Sequence, residues 1–297
     1  MLEGHLPFDD DKKIPRVTTS SGALRYIDSA AIRRGIASVR ECRAISLGLP
    51  IAHGVGPIGH GRQPPQHFMR RDGADYASGG RKEKAGFGYS DDVIFLHTHG
   101  TTHVDALCHV FIDGTMFGDI SASEVTSAGA RQLGAETVPA IATRALVVDA
   151  VPSHRAWLDS GEVITVGIIE DRLAEAGLEP EAGDALIVRT GWVAEYRAGS
   201  ASNEAWPGLG SEFADWSIGH KLSIVGADNI AVEVVPSGVP GCALPLHARL
   251  LRQEGVLFLA LLDLEALRGI TCAALLTINP LRIVGGTASP VAPMLLL

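Results

Sequence analysis

Four of the chain's eleven histidines fall within thirteen residues, at His97, His99, His103 and His109, with Asp105 among them. Neutral imidazoles and a carboxylate are ordinary donors for zinc and manganese. Three protein ligands that leave one coordination position open describe a catalytic site rather than a structural one. His99, His103 and Asp105 are the candidate ligands. On a helix, His99 and His103 share a face, but Asp105, at about 100° per residue, turns away from it. On a strand the odd-numbered residues share a face, yet four residues at roughly 3.4 Å each part His99 from His103 too widely for one ion. The chain must bend between them, and Gly100 supplies the permissive backbone. Val93-Ile94-Phe95-Leu96 then reads as a buried strand that ends in a tight ligand loop. The alternative is a polar strand end whose histidines are hydrogen-bonded in the interior or wet.

The spacing His99-x3-His103-x-Asp105-x3-His109 resembles the signature of the cyclase-like metal-dependent hydrolases, which include bacterial kynurenine formamidases and isatin hydrolases. The resemblance continues through Arg62-Gln-Pro-Pro-Gln-His67-Phe-Met69, Gly183-Asp184 to Trp192, Gly226-Ala-Asp228 to Glu233, and His247-x2-Leu-Leu-x3-Gly255, so it spans about residues 20 to 270. It implies a swivelling β/β/α fold, an ion held by His99, His103 and Asp105, and homodimers or homotetramers. It also gives His109 the transfer of protons, a role that an unperturbed pKa near 6.5 suits in both directions. Three positions depart from the family pattern. Thr101-Thr102-His103 replaces Gly-Thr-His, with the glycine shifted to Gly100, and Leu107 stands where proline is common; neither change removes a ligand. Where two-metal members carry a glutamate ligand, the corresponding residue here is Ala260, which leaves one divalent ion, Zn2+ or Mn2+, as the expected cofactor.

The reaction expected of such a site is hydrolysis by a metal-activated water: opening of a cyclic amide or lactone, or cleavage of a formamide, in a small aromatic molecule. Other residues carry two readings each. His247 is either a helix-start histidine bonded to backbone or a residue facing the metal, and His97 either supports the ligands or packs in the core. His67 and Phe68 either line the substrate mouth or make a local hairpin contact. Trp192 reads as core, and Asp228 and Glu233 read as buried hydrogen-bonded or loop carboxylates without chemistry. Two functions of other classes remain: a metal-dependent binding protein without turnover, which Ala260 favours, and a nicotinamide-dependent oxidoreductase. The second rests on Gly54-Val-Gly56-Pro-Ile-Gly59, but the segment continues into Pro64-Pro65 and opens no helix to receive a pyrophosphate. Cys108 beside His109 reads as a buried thiol rather than a nucleophile, and no G-x-S-x-G elbow occurs.

Composition bounds the remainder. A chain of 297 residues can bury a substantial core, and without an internal linker or repeat it reads as one domain over 21–297 behind a polar arm over 1–20. The net charge of -9 argues against a nucleic-acid partner, whose phosphates need a basic face. Cys42, Cys108, Cys242 and Cys272 lack C-x-x-C spacing, and Asp9-Asp10-Asp11 stands where a signal peptide would be apolar, so a cytoplasmic location is expected. No apolar run reaches the roughly 18 residues of a membrane helix. The basic cluster Arg70-Arg71 and Arg81-Lys82-x-Lys84 reads as a solvated loop or a lid over the site. The tail from Ser289 to Leu297 and the arm over 1–20 have too little patterning to fold alone, and would be ordered against a neighbouring subunit.

The ligands need a scaffold of alternating elements. Strand-like runs fall at Val93–Leu96, Ala145–Val148, Ala185–Val188, Leu222–Val225, Val256–Leu262 and Ala273–Ile278. Helical patterns fall at about Val166–Ala176, capped by Thr165 and stopped by Gly177, and at about Leu246–Glu254, stopped by Gly255. Such an alternation predicts a mixed α/β or α+β fold with helices covering a mixed sheet.

Overall fold

A computed structural model describes residues 21–56, 61–82 and 84–297. Nine strands, numbered in chain order, build the main sheet: β1 (Ala44–Ser46), β2 (His103–Asp105), β3 (Ile141–Asp149), β4 (Ala185–Arg189), β5 (Ile224–Ala227), β6 (Leu257–Ala260), β7 (Cys272–Ile278), β8 (Ala288–Pro290) and β9 (Met294–Leu296). Their spatial order is β1-β9-β7-β3-β4-β5-β6-β2-β8. The four central strands β3 to β6 run parallel, and the flanking strands join antiparallel on both sides. Continuous apolar sequence is what a parallel strand covered on both faces requires. In β4, Leu186 and Val188 enter one core while Ala185 and Ile187 enter the other.

Helices cover the sheet as the sequence pattern predicts. Thr165 accepts a hydrogen bond from the Ile168 N–H and caps α2 (Val166–Glu175), whose buried residues are Ile169 and Leu173, four apart on one face. The earlier helix α1 (Ser29–Ala37), capped by Asp28, packs on β3 and β7; no helix over these residues is expected from the sequence pattern. The second expected helix is a π-helix, His247–Glu254, ended by Gly255 in the left-handed conformation. A side chain at Gly255 would meet the Gly22 backbone and the Phe117 ring within 3 Å, so glycine is required there for both φ and space. Among the described residues no helix is long and apolar enough to cross a membrane.

Three expectations need correction. Val93–Leu96 is not a buried sheet strand: among the described residues Asp91–Phe95 pairs only with Gln66–Arg71, in a two-stranded hairpin apart from the main sheet. Val93, Ile94 and Phe95 are 46 %, 49 % and 66 % exposed, because successive residues of a lone ribbon face opposite sides and no layer covers either. The sheet position goes instead to His103–Asp105, a strand too short and too polar to register as one. The tail is the second correction. Ser289 to Leu297 supplies parts of β8 and β9 and pairs within its own chain, so no neighbour is needed to order it. Third, Leu222–Val225 is displaced: the strand is Ile224–Ala227. The arm over residues 1–20 and the glycine-pattern residues 57–59 lie outside the described residues.

Candidate metal centre

The antiparallel strand β2 lies against β6, with His103 opposite Ala260, the last residue of β6. This puts the site at the carboxyl ends of the parallel strands, where open α/β sheets form their crevices. Positions 103 and 105 are two apart on a strand and share a face. The bend required between His99 and His103 is present. The Gly100 N–H donates to the His97 carbonyl at 2.8 Å, and a Cβ at Gly100 would come within 3.1 Å of the same oxygen. Thr102 then ties the loop to the sheet: its hydroxyl donates to the Leu261 carbonyl at 2.5 Å and accepts the Leu49 N–H at 2.8 Å.

His99 Nε2 and His103 Nε2 each stand 3.4 Å from Asp105 Oδ1, and the three side chains are buried with their donor atoms within 4.8 Å of one another. Donors that share an ion tetrahedrally, each about 2.1 Å from it, lie roughly 3.4 Å apart. His99 Nε2 and Asp105 Oδ1 are also buried with no hydrogen-bond partner. A buried polar atom without a partner is costly, and two of them facing a common point call for an additional group. The residues therefore fit a divalent ion. His103 is set for ligation because Nδ1 contacts the Thr101 carbonyl at 2.7 Å. A proton on Nδ1 leaves the Nε2 lone pair free. Burial pushes the His99 imidazole down to about 2, against the pull of Asp105, so its ring is neutral and able to ligate. Burial would raise Asp105, but the surrounding imidazoles of His109, His103 and His247 hold its carboxyl well below the usual range.

His109 sits in the turn after β2, its N–H donating to the Ala106 carbonyl at 2.9 Å. Its ring lies over that of His99, with centroids 4.1 Å apart. Burial also lowers its pKa, so the ring is neutral near pH 7. His247 faces the same group from the π-helix: Nε2 is 3.6 Å from Asp105 Oδ2, and Nδ1 is 2.6 Å from Glu233 Oε1. Burial disfavours its charge, yet the hydrogen bonds and charges of Asp105 and Glu233 prevail and push it up to about 9. Its ring stands edge-on to Phe258, at 4.5 Å.

Glu233 is the residue that sequence reasoning underrates. Buried to 1 % exposure, it accepts the backbone N–H groups of Leu246 and His247 as well as His247 Nδ1, fixing both the helix start and the imidazole. No local pattern links positions 233 and 247; only the fold brings them together. Arg62, which the sequence marks only as part of a motif, donates from Nη1 to the His99 carbonyl at 3.3 Å. Asp228 is a buried carboxylate that accepts from Thr190 N, Thr190 Oγ1 and Gly191 N. Trp192 is core, with no exposed surface.

Other candidates stay outside the cluster. His97 is exposed, so the core reading does not hold. His67 Nε2 contacts Asp92 across the hairpin at 2.6 Å, and Phe68 meets His53 edge-on at 5.3 Å, which is the local hairpin reading. Arg70 and Arg71 belong to that hairpin, and Arg81 pairs with Asp75 at 3.0 Å. Cys108 is buried near the Gly286 carbonyl, and burial raises its thiol to about 11, a poor nucleophile.

Residues 45–234 match the sequence family Cyclase, described as "Putative cyclase". A crystal structure described as that of a novel cyclase superposes with a TM-score of 0.84 at 30 % identity, covering 94 % of this chain and 96 % of that one. Isatin hydrolase A from Ralstonia solanacearum is 19 % identical, with a TM-score of 0.64 over 90 % of this chain and 95 % of that one. Isatin hydrolase A from Labrenzia aggregata is 20 % identical, with a TM-score of 0.65 over 85 % and 93 %. Comparison with curated proteins gives no match. The chain belongs to the cyclase family, and the mixed sheet with covering helices is the fold that the resemblance implies.

Proposed function

We propose that this protein is a metal-dependent hydrolase of a small aromatic substrate, opening a cyclic amide or lactone or cleaving a formamide. The observation that carries the reading is the pair of buried, unpartnered atoms His99 Nε2 and Asp105 Oδ1, with His103 Nε2 completing the set. His99, His103 and Asp105 would hold one ion, and the His2Asp donor set suits Zn2+ or Mn2+. An ion bound there supplies acidified water and a polarised carbonyl.

The chain's own residues supply orientation and proton transfer. The Thr101 carbonyl keeps the His103 proton on Nδ1. His109, neutral and beside His99, takes a proton from the attacking water as the new C–O bond forms, then returns it to the leaving nitrogen or oxygen as the old bond breaks. His247, itself fixed by Glu233, faces the second oxygen of Asp105. The similarity in fold to isatin hydrolases supports a lactam ring among the substrates.

The test is metal analysis of purified protein, followed by a panel of N-formyl aromatics, isatin-like lactams and aryl lactones assayed with and without a chelator. Chelator-sensitive hydrolysis of at least one class is expected. Tight metal binding with no turnover across the panel would instead favour the reading as a metal-dependent binding protein.

A further inference from the structure

Arg62 stands over the candidate metal centre with most of its hydrogen-bonding capacity unspent. Its Nη1 donates to the carbonyl of His99. Among the described residues that is its one hydrogen bond, so the rest of the five N–H donors of a guanidinium remain. The side chain is half-buried. A partly desolvated cation that keeps its donors is costly unless an anion arrives.

Among the described residues, the carboxylates of the site and of the hairpin's Asp92 are otherwise engaged. Asp105 is shared by His99, His103 and His247, and Glu233 is taken by His247 and two backbone N–H groups. On the hairpin, Asp92 pairs with His67. With a dication on the three ligands, Asp105 offsets only part of the charge and Arg62 adds to the positive side. Ala260, opposite His103, brings no further carboxylate.

We propose that Arg62 is a specificity-determining residue that binds a carboxylate of the ligand, next to the position where the carbonyl is hydrolysed. This rests on the hydrolase reading above. Planar guanidinium and carboxylate groups match as a two-pronged pair. The carboxylate is either a substituent of the substrate or the one released by hydrolysis, and both present the same group to Arg62.

Binding is tested apart from turnover. Metal-loaded protein is titrated calorimetrically with benzoate and with uncharged benzamide, in the wild type, Arg62→Lys and Arg62→Gln, with metal content and thermal midpoint measured on each sample. Wild type should bind benzoate at least tenfold more tightly than benzamide. Arg62→Gln should abolish that preference with metal content unchanged, and Arg62→Lys should restore part of it. Equal benzoate affinity in wild type and Arg62→Gln, or no preference in wild type, would overturn the proposal. A panel that shows no turnover while the benzoate preference stands defeats the hydrolase reading alone. With a substrate in hand, a KM that rises in Arg62→Gln only for carboxylate-bearing members identifies the substituent. A weakening of product inhibition alone identifies the released acid.

Discussion

His103 joins strand, loop and site in a single side chain, with Nδ1 on the Thr101 carbonyl and Nε2 on Asp105. Removing one donor from a three-ligand site collapses affinity, so His103→Ala should lose bound metal and activity together. Full metal occupancy in that variant would remove it from the ligand set. His109 touches the His99 ring rather than Asp105, and His109→Gln should therefore keep its metal while turnover falls by about 10² to 10⁴-fold, the range of a general acid-base group. If the metal goes with the side chain, His109 is a ligand. Ala260 is buried opposite His103, and cross-strand partners share a face. A second dication beside the first needs anionic donors to offset mutual repulsion, and alanine has none. Metal titration should saturate near one equivalent per chain, and Ala260→Glu should move it towards two. Two tightly held ions in the unmodified protein would show that the missing ligand lies elsewhere.

Between elements, Asp228 is the fastening at the site end of the sheet. It follows the last residue of β5 and receives three hydrogen bonds from Thr190 and Gly191, just beyond β4. Burial pushes its carboxyl up to about 6, although the Thr190 and Gly191 donors pull it down. A carboxyl whose folded pKa lies above its ordinary value of about 3.9 holds its proton more tightly in the folded state. Its contribution to stability is therefore full below about pH 4 and is lost as pH rises towards 6. The 13C shift of the Asp228 carboxyl should titrate with a midpoint near 6. A midpoint under about 4 would mean that the three donors outweigh burial.

At the scale of the whole molecule, the hairpin of Gln66–Arg71 and Asp91–Phe95 presents apolar side chains on both faces: Phe68 and Val93 on one, Met69 and Ile94 on the other. A two-stranded ribbon is marginal alone in water, and apolar surface gathered on one element marks a contact site. The expectation of a homo-oligomer thus moves from the tail to the hairpin. Light scattering at micromolar concentration should give a dimer or tetramer, and Phe68→Lys combined with Ile94→Lys should shift it towards monomer. A fully active wild-type monomer would rule the assembly out.

The grouping of His99, His103 and Asp105, the bend at Gly100 and the capped helix over Val166–Glu175 were legible in the sequence, because each rests on spacing within a few residues and on the fixed geometry of helix and strand. The continuous apolar run of β4 was legible for the same local reason. The strand at Val93–Leu96 was misread, since a short apolar run has the same appearance in a sheet interior and on an uncovered ribbon, and only the layers above and below it differ. Glu233 and His247 meet across fourteen residues of chain, Arg62 reaches the carbonyl of His99, and β2 enters the sheet between β6 and β8. Contacts of that kind depend on which strands become neighbours. Tertiary structure alone decides this, because the free energy of burying both sheet faces is shared among elements distant in sequence and leaves no periodic mark on any one of them.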